Sequence, residues 1–264
     1  MLTHSALEVG LSSLTANRSN DWGYWWILGR PDDRHLHGPT IPPPPLPRSS
    51  ASIRITPDRE RNNMALHIDY YASLNSPWTH LGAARIEAMA MANGATLRIW
   101  PVDFGTIFPA SGGLPLPKRA PQRQAYRLQE LRRWREYLGI PITIQPKHFP
   151  SPEGPAASCV IGLRETMGDQ PAIRLAHLVL KAVWQQEKNT GDTDTLIGLI
   201  REAGLDPDKV MPFADDPKWA EMRTADTKAA LDRGVFGAPS YVIGDEIFWG
   251  QDRLEFVQRR LARG

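Results

Sequence analysis

The sequence predicts an α/β fold in which two short strand units flank a block of helices, and three observations predict it. Residues 64–102 read strand, helix, strand with short links; residues 121–233 carry successive helical patterns; residues 236–261 read strand, turn, strand, helix. The 264 residues, 41% hydrophobic and 23% charged, suffice for one large domain or two small ones. A formal net charge of +2 gives no case for nucleic acid or a membrane surface as a general partner. The single cysteine, Cys159, excludes an internal disulfide framework, fits a reducing cytoplasm and reads as a buried small residue. No apolar run approaches the roughly 18 to 20 residues of a spanning helix, and no basic segment leads into an apolar one at the N-terminus. A cytoplasmic protein is expected.

Residues 1–63 stand apart. They hold Trp22, Trp25, Trp26 and the run Pro42-Pro43-Pro44-Pro45 without a sustained period, so an extension disordered by default is expected. The proline run also fits a polyproline II ligand, and Met64, which opens the first patterned segment, fits a translation start.

From there the elements follow in order. Residues 65–71 alternate as a strand, and 77 to about 93 form a helix closed by Gly94. Residues 96–102 form a second strand, giving a right-handed βαβ unit. Residues 103–117, rich in Gly and Pro, read as a loop over the strand ends, where open α/β sheets place ligands. Leu128, Leu131, Trp134 and Leu138 recur at helical spacing, while Arg127, Arg132, Arg133 and Arg135 fall mainly off that stripe and read as a solvated face. Residues 141–155 are a proline-rich loop. Leu175, Leu178, Val179, Ala182 and Val183 mark another helix, and 193–203 and 217–233 two more. Residues 236–243 lead into a strand, Gly244-Asp245 marks a hairpin turn, and 246–249 is its partner, before a helix carried by Leu254, Val257 and Leu261. This order is that of a thioredoxin-like domain (64–120 and 234–264) interrupted by a helical insertion (about 121–233).

Ser76-Pro77 opens the first helix. Proline at the first helical position loses no hydrogen bond, which puts Ser76 at the N-cap, where free N–H groups and the helix dipole favour an anion. An ordinary capping serine explains the same residues.

Three segments carry a resemblance: Ser76-Pro77-Trp78-Thr79, Phe236-Gly237-Ala238-Pro239-Ser240, and Gly244-Asp245-Glu246-Ile247-Phe248-Trp249-Gly250-Gln251-Asp252-Arg253-Leu254. Together they resemble the 2-hydroxychromene-2-carboxylate isomerases and kappa-class glutathione transferases, relatives of the DsbA-type oxidoreductases, over about 200 residues. The first segment sits where disulfide oxidoreductases have Cys-x-x-Cys. With no cysteine at 76 or 79, two-cysteine redox chemistry is disfavoured. The family asparagine after the second strand is absent from Ser111-Gly112-Gly113-Leu114, and Lys118 or Arg123 stands at the family lysine.

The resemblance implies glutathione as cofactor, with Ser76 donating its O–H to the glutathione thiolate. It also implies a cis Pro239 that presents the Ala238 backbone to the tripeptide, and glutathione contacts from Gln251, Asp252, Arg253 and either Lys118 or Arg123. Asp252 and Arg253 read equally as a cap and a surface arginine. Trp78, Phe108, Phe149 and Trp249 would wall a flat aromatic substrate, or else pack in the core; His80 and His148 are polar helpers or satisfied histidines. No metal site is expected. The implied activity is interconversion of 2-hydroxychromene-2-carboxylate and trans-o-hydroxybenzylidenepyruvate in naphthalene-type catabolism, by a homodimer. Thiolate addition suits it by converting a fixed double bond into a rotatable single one. A kappa-like transferase or peroxidase, and a non-catalytic thioredoxin-like binding module, are the alternatives.

Overall fold

A mixed four-stranded sheet is the frame that carries everything else. The computed structural model describes residues 66–264, so the expectations for residues 1–63 and Met64 lie outside the described residues. The elements begin with β1 (His67–Ala72), α1 (Pro77–Ala92), β2 (Thr96–Pro101), α2 (Phe104–Ala110) and α3 (Pro121–Leu138). The helical stretch continues through α4 (Gly154–Thr166), α5 (Asp169–Gln186), α6 (Thr193–Glu202), α7 (Pro207–Val210), α8 (Pro212–Asp215) and α9 (Pro217–Asp232). The chain closes with β3 (Ser240–Ile243), β4 (Glu246–Trp249) and α10 (Leu254–Leu261). Strand order is β2-β1-β3-β4: β1 and β2 run parallel, and β3 is antiparallel to both β1 and β4.

Side chains alternate across the sheet as a period of two requires. Ile68, Tyr70, Tyr241 and Ile243 enter one core with α1, α4, α5 and α10. Tyr71 and Val242 enter a second, with Phe104 and Ile107 of α2 and Ala230 of α9. A third cluster joins Leu81 of α1, Leu131 of α3 and Trp184 of α5, and so fastens α3 over the start of α1.

Two expectations need correction. Residues 103–117 are not all loop: Asp103 caps α2, accepting from the Gly105 N–H at 2.8 Å and the Thr106 hydroxyl at 2.8 Å. Phe104, Ile107 and Phe108 keep helical spacing among the glycines and prolines that masked it. Helix α4 was also not expected. Its residues from Ala156 to Arg164 are all buried, and a helix buried all round shows no stripe. Gly162 lies so close under Phe213 that a Cβ there would stand 2.4 Å from the ring. The third strand starts at Ser240, directly after Pro239, which has no N–H to give a ladder.

Candidate active site

The end of β1 and the start of β3 face each other, with Tyr71 opposite Ser240. The loop leaving β1 toward Ser76 and the loop arriving through Pro239 therefore emerge at the same end of the sheet. Ser76 is the N-cap of α1, extended at φ −80° and ψ 124°, and Pro77 occupies N1. Its Oγ accepts from the Thr79 N–H at 3.2 Å and donates to no acceptor among the described residues. A hydroxyl proton is thus available at the positive end of a 16-residue helix.

The loop before Ser76 is held by residues the sequence reading missed. Glu153, at the start of α4, accepts from the Ser73 hydroxyl at 2.5 Å and from the Asn75 N–H at 2.8 Å, and pairs with Arg223 of α9 at 2.9 Å. Asn75 in turn donates to the Ser151 carbonyl at 2.6 Å and accepts from the Ser151 N–H at 3.1 Å. Burial raises the Glu153 carboxyl, and Arg223, Ser73 and Asn75 oppose that rise. The partners lie 70 to 80 residues apart, so no local pattern announces them.

The Ala238–Pro239 bond is cis. Ala238 donates and accepts no backbone hydrogen bond among the described residues, leaving its N–H and C=O free. The Pro239 carbonyl accepts from the Gly250 N–H at 2.8 Å, tying this loop to the turn after β4. Trp249 lies against the loop as well. A Cβ on Gly237 would stand 2.2 Å from its indole nitrogen, and the Phe236 ring meets it edge-on at 4.9 Å. Gln251 is buried, and Arg85 of α1 donates to its side-chain oxygen at 2.6 Å and its backbone carbonyl at 3.1 Å.

Between these loops and α3 lies a cleft of about 520 Å³. Among the residues named from sequence, it brings together Trp78, Arg123, Ala238, Trp249, Gln251 and Asp252. Ser76 and Pro239 are not in its wall but adjoin it in the chain, next to Pro77–Trp78 and Ala238. Lys118 is exposed and outside the cleft, whereas Arg123, also exposed, lies in its wall. Phe108 packs against the core of α2, Phe149 packs on Trp184 at 4.8 Å, and Arg253 pairs with Asp252 at 3.5 Å outside the wall. Arg119, Tyr126, Arg127 and Trp134 line the cleft and were not assigned to it from sequence. Arg127, expected on a solvated face, is half-buried there.

The histidines resolve differently. His80 is buried, its Nε2 3.2 Å from the Pro141 carbonyl, and burial brings its pKa down to about 4, so it stays neutral. It serves the packing of α1 on the loop after α3. Cys159 is fully buried, as expected, its thiol pushed up to about 12 by burial. Among the described residues no cluster of His, Cys, Asp and Glu could hold a metal ion, and no helix is long and apolar enough to cross a membrane.

A thioredoxin-like sheet with a proline loop opposite a helix N-terminus defines a class, and a family model for the DSBA-like thioredoxin domain matches residues 67–262. The chain belongs to that family. Within it, the chain is similar to the 2-hydroxychromene-2-carboxylate isomerase of Sphingobium xenophagum, at 28% identity over 75% of this chain and 99% of that one. The enzyme of the same name from Pseudomonas putida is 28% identical over 74% and 94%. A solved structure of a 2-hydroxychromene-2-carboxylate isomerase superposes with a TM-score of 0.63 at 26% identity, covering 75% of this chain and 95% of that one.

Proposed function

We propose that the protein is a glutathione-dependent isomerase interconverting 2-hydroxychromene-2-carboxylate and trans-o-hydroxybenzylidenepyruvate in aromatic catabolism, working in the cytoplasm as a homodimer. The observation that carries the isomerase reading is the likeness to enzymes of that name over three quarters of the chain. Two features of the site fit glutathione. Ser76 has a proton to donate at a helix mouth, and Ala238 offers a free N–H and C=O that an added peptide strand can pair with.

Glutathione, when bound, would supply a thiolate nucleophile whose addition turns a fixed double bond into a rotatable single bond and whose elimination after rotation restores both the double bond and the free thiol. Ser76 holds the sulfur negatively charged by donating its O–H, aided by the dipole of α1. Ala238 aligns the cysteinyl backbone; Asp252 receives an ammonium, and Arg123 is placed for a carboxylate. Arg85 fixes Gln251 so that the turn carrying Asp252 stays against α1. Trp78 and Trp249 give the cleft flat apolar walls.

The test is direct. The purified full chain is mixed with trans-o-hydroxybenzylidenepyruvate, and ultraviolet absorbance is followed with and without glutathione. Conversion that requires glutathione is expected; no rate above background at saturating glutathione overturns the reading.

A further inference from the structure

Arg119, Arg123 and Arg127 all line one cleft, and none of them pairs with a carboxylate among the described residues. The two acids in the same wall have cations of their own. Glu130 pairs with Arg133 at 2.5 Å, and Asp252 lies 3.5 Å from Arg253. Arg123 is exposed at the rim, whereas Arg119 and Arg127 are half-buried. The Arg127 guanidinium lies 5.4 Å from the centre of the Phe149 ring and 5.8 Å from that of Trp184. The Arg119 guanidinium lies 5.8 Å from Phe108 and donates its Nε–H to the Leu114 carbonyl at 2.8 Å. Phe149 and Phe108, named from sequence as substrate walls, thus serve as platforms beneath cations.

Burial and the neighbouring Arg119 charge bring Arg127 down to about 10, and burial and Arg123 lower Arg119 too. Like charges gathered in a partly desolvated wall oppose folding unless something else repays the arrangement. An anion delivered to the cleft relieves the repulsion. A guanidinium resting on an aromatic face keeps its edge donors directed outward, suited to a planar carboxylate.

We propose that Arg127, with Arg119 beside it, is the station that binds the carboxylate of a flat aromatic or conjugated substrate, distinct from the grip on glutathione. This rests on the isomerase reading for the identity of the substrate, but the station itself is a property of the cleft. Its ligand class is planar aromatic carboxylates, with the ring against Trp78 and Trp134 and the anion on the arginines. Arg127 is then a residue that sets specificity, and an uncharged ring of the same shape binds poorly.

The test uses 2-naphthoate and its uncharged amide, 2-naphthamide, titrated into the full chain without glutathione and followed by tryptophan fluorescence. Naphthoate is expected to bind about tenfold more tightly than the amide, the worth of one charge-assisted hydrogen-bonded contact. Arg127→Met, which keeps the stem against Phe149, is expected to abolish that difference, and Arg127→Lys to restore part of it. Glutathione affinity, measured by calorimetry on the same variants, is expected to stay unchanged. Equal binding of acid and amide by the native chain overturns the proposal. So does an equal fall in both ligands in Arg127→Met, or a fall in glutathione affinity alongside naphthoate. A folded Arg119→Met variant gives the same readout should Arg127→Met fail to fold. A chain with no glutathione-dependent turnover still answers this test, so the two readings fail separately.

Discussion

In the proposed reaction Ser76 acts through one proton. Its oxygen already accepts from Thr79, which orients the hydroxyl and leaves its hydrogen to give. Ser76→Ala removes that hydrogen and the cap, lowering stability by about 1 kcal/mol while taking away most glutathione-dependent turnover; thermal unfolding and steady-state rates on one preparation check both. A variant that loses the cap energy but keeps its rate reduces Ser76 to a capping serine. His80 gives a pH prediction. Its folded pKa, about 4, lies below the ordinary value of 6.5. Between these values the unfolded chain binds a proton that the folded chain refuses. Stability from this group is complete above pH 6.5 and falls by about 1.4 kcal/mol per pH unit on acidification through that window. His80→Gln is expected to flatten the dependence of unfolding free energy on pH there; an unchanged slope contradicts the buried neutral imidazole.

At the scale of elements, the site depends on how closely α1 lies against β3 and on what holds the loop in front of it. A Cβ on Gly82 would meet the Tyr241 hydroxyl at 2.5 Å and the Gln251 Cβ at 3.2 Å. Gly82→Ala is therefore expected to push α1 away from the turn carrying Asp252, costing about 1 to 3 kcal/mol and weakening glutathione binding; chemical denaturation and calorimetry check it. Glu153 and Arg223 hold the loop. Arg223→Met leaves a mostly buried carboxylate without its cation and is expected to cost about 3 kcal/mol, with faster amide exchange across residues 73–76. Normal exchange there contradicts a holding role. Strand β2 and helices α5, α6 and α10 were legible because each keeps a period of 2 or 3.6. Helix α4 was not, being buried on every side, and α2 was hidden by its glycine and proline. The Glu153 network was invisible because its members meet only after folding.

For the whole molecule, the two chain segments that make the site are about 160 residues apart, and the sheet joins them by laying β1 beside β3. Motif reading reached the pieces fixed to that frame: Ser76, the Ala238–Pro239 loop and the Trp249–Asp252 turn. It did not reach the charged wall that α3 contributes, because a helix stripe assigns off-stripe arginines to solvent. The packing of α3 over α1 brings Arg127 into the cleft, and Arg119 joins it from the turn just before α3. The fold thus sets the free Ala238 backbone on one side of a cleft, with Ser76 adjoining that cleft in the chain, and on the other side cations that pair with no carboxylate among the described residues. Ser76 is proposed to keep a bound sulfur ionised. The measurement is the pKa of the glutathione thiol bound to the protein, from the ultraviolet absorbance of its thiolate titrated against pH, in the native chain and in Ser76→Ala. A value well below the free thiol's roughly 8.5 in the native chain, moving back toward it in the variant, is expected. The same pKa in both contradicts the claim.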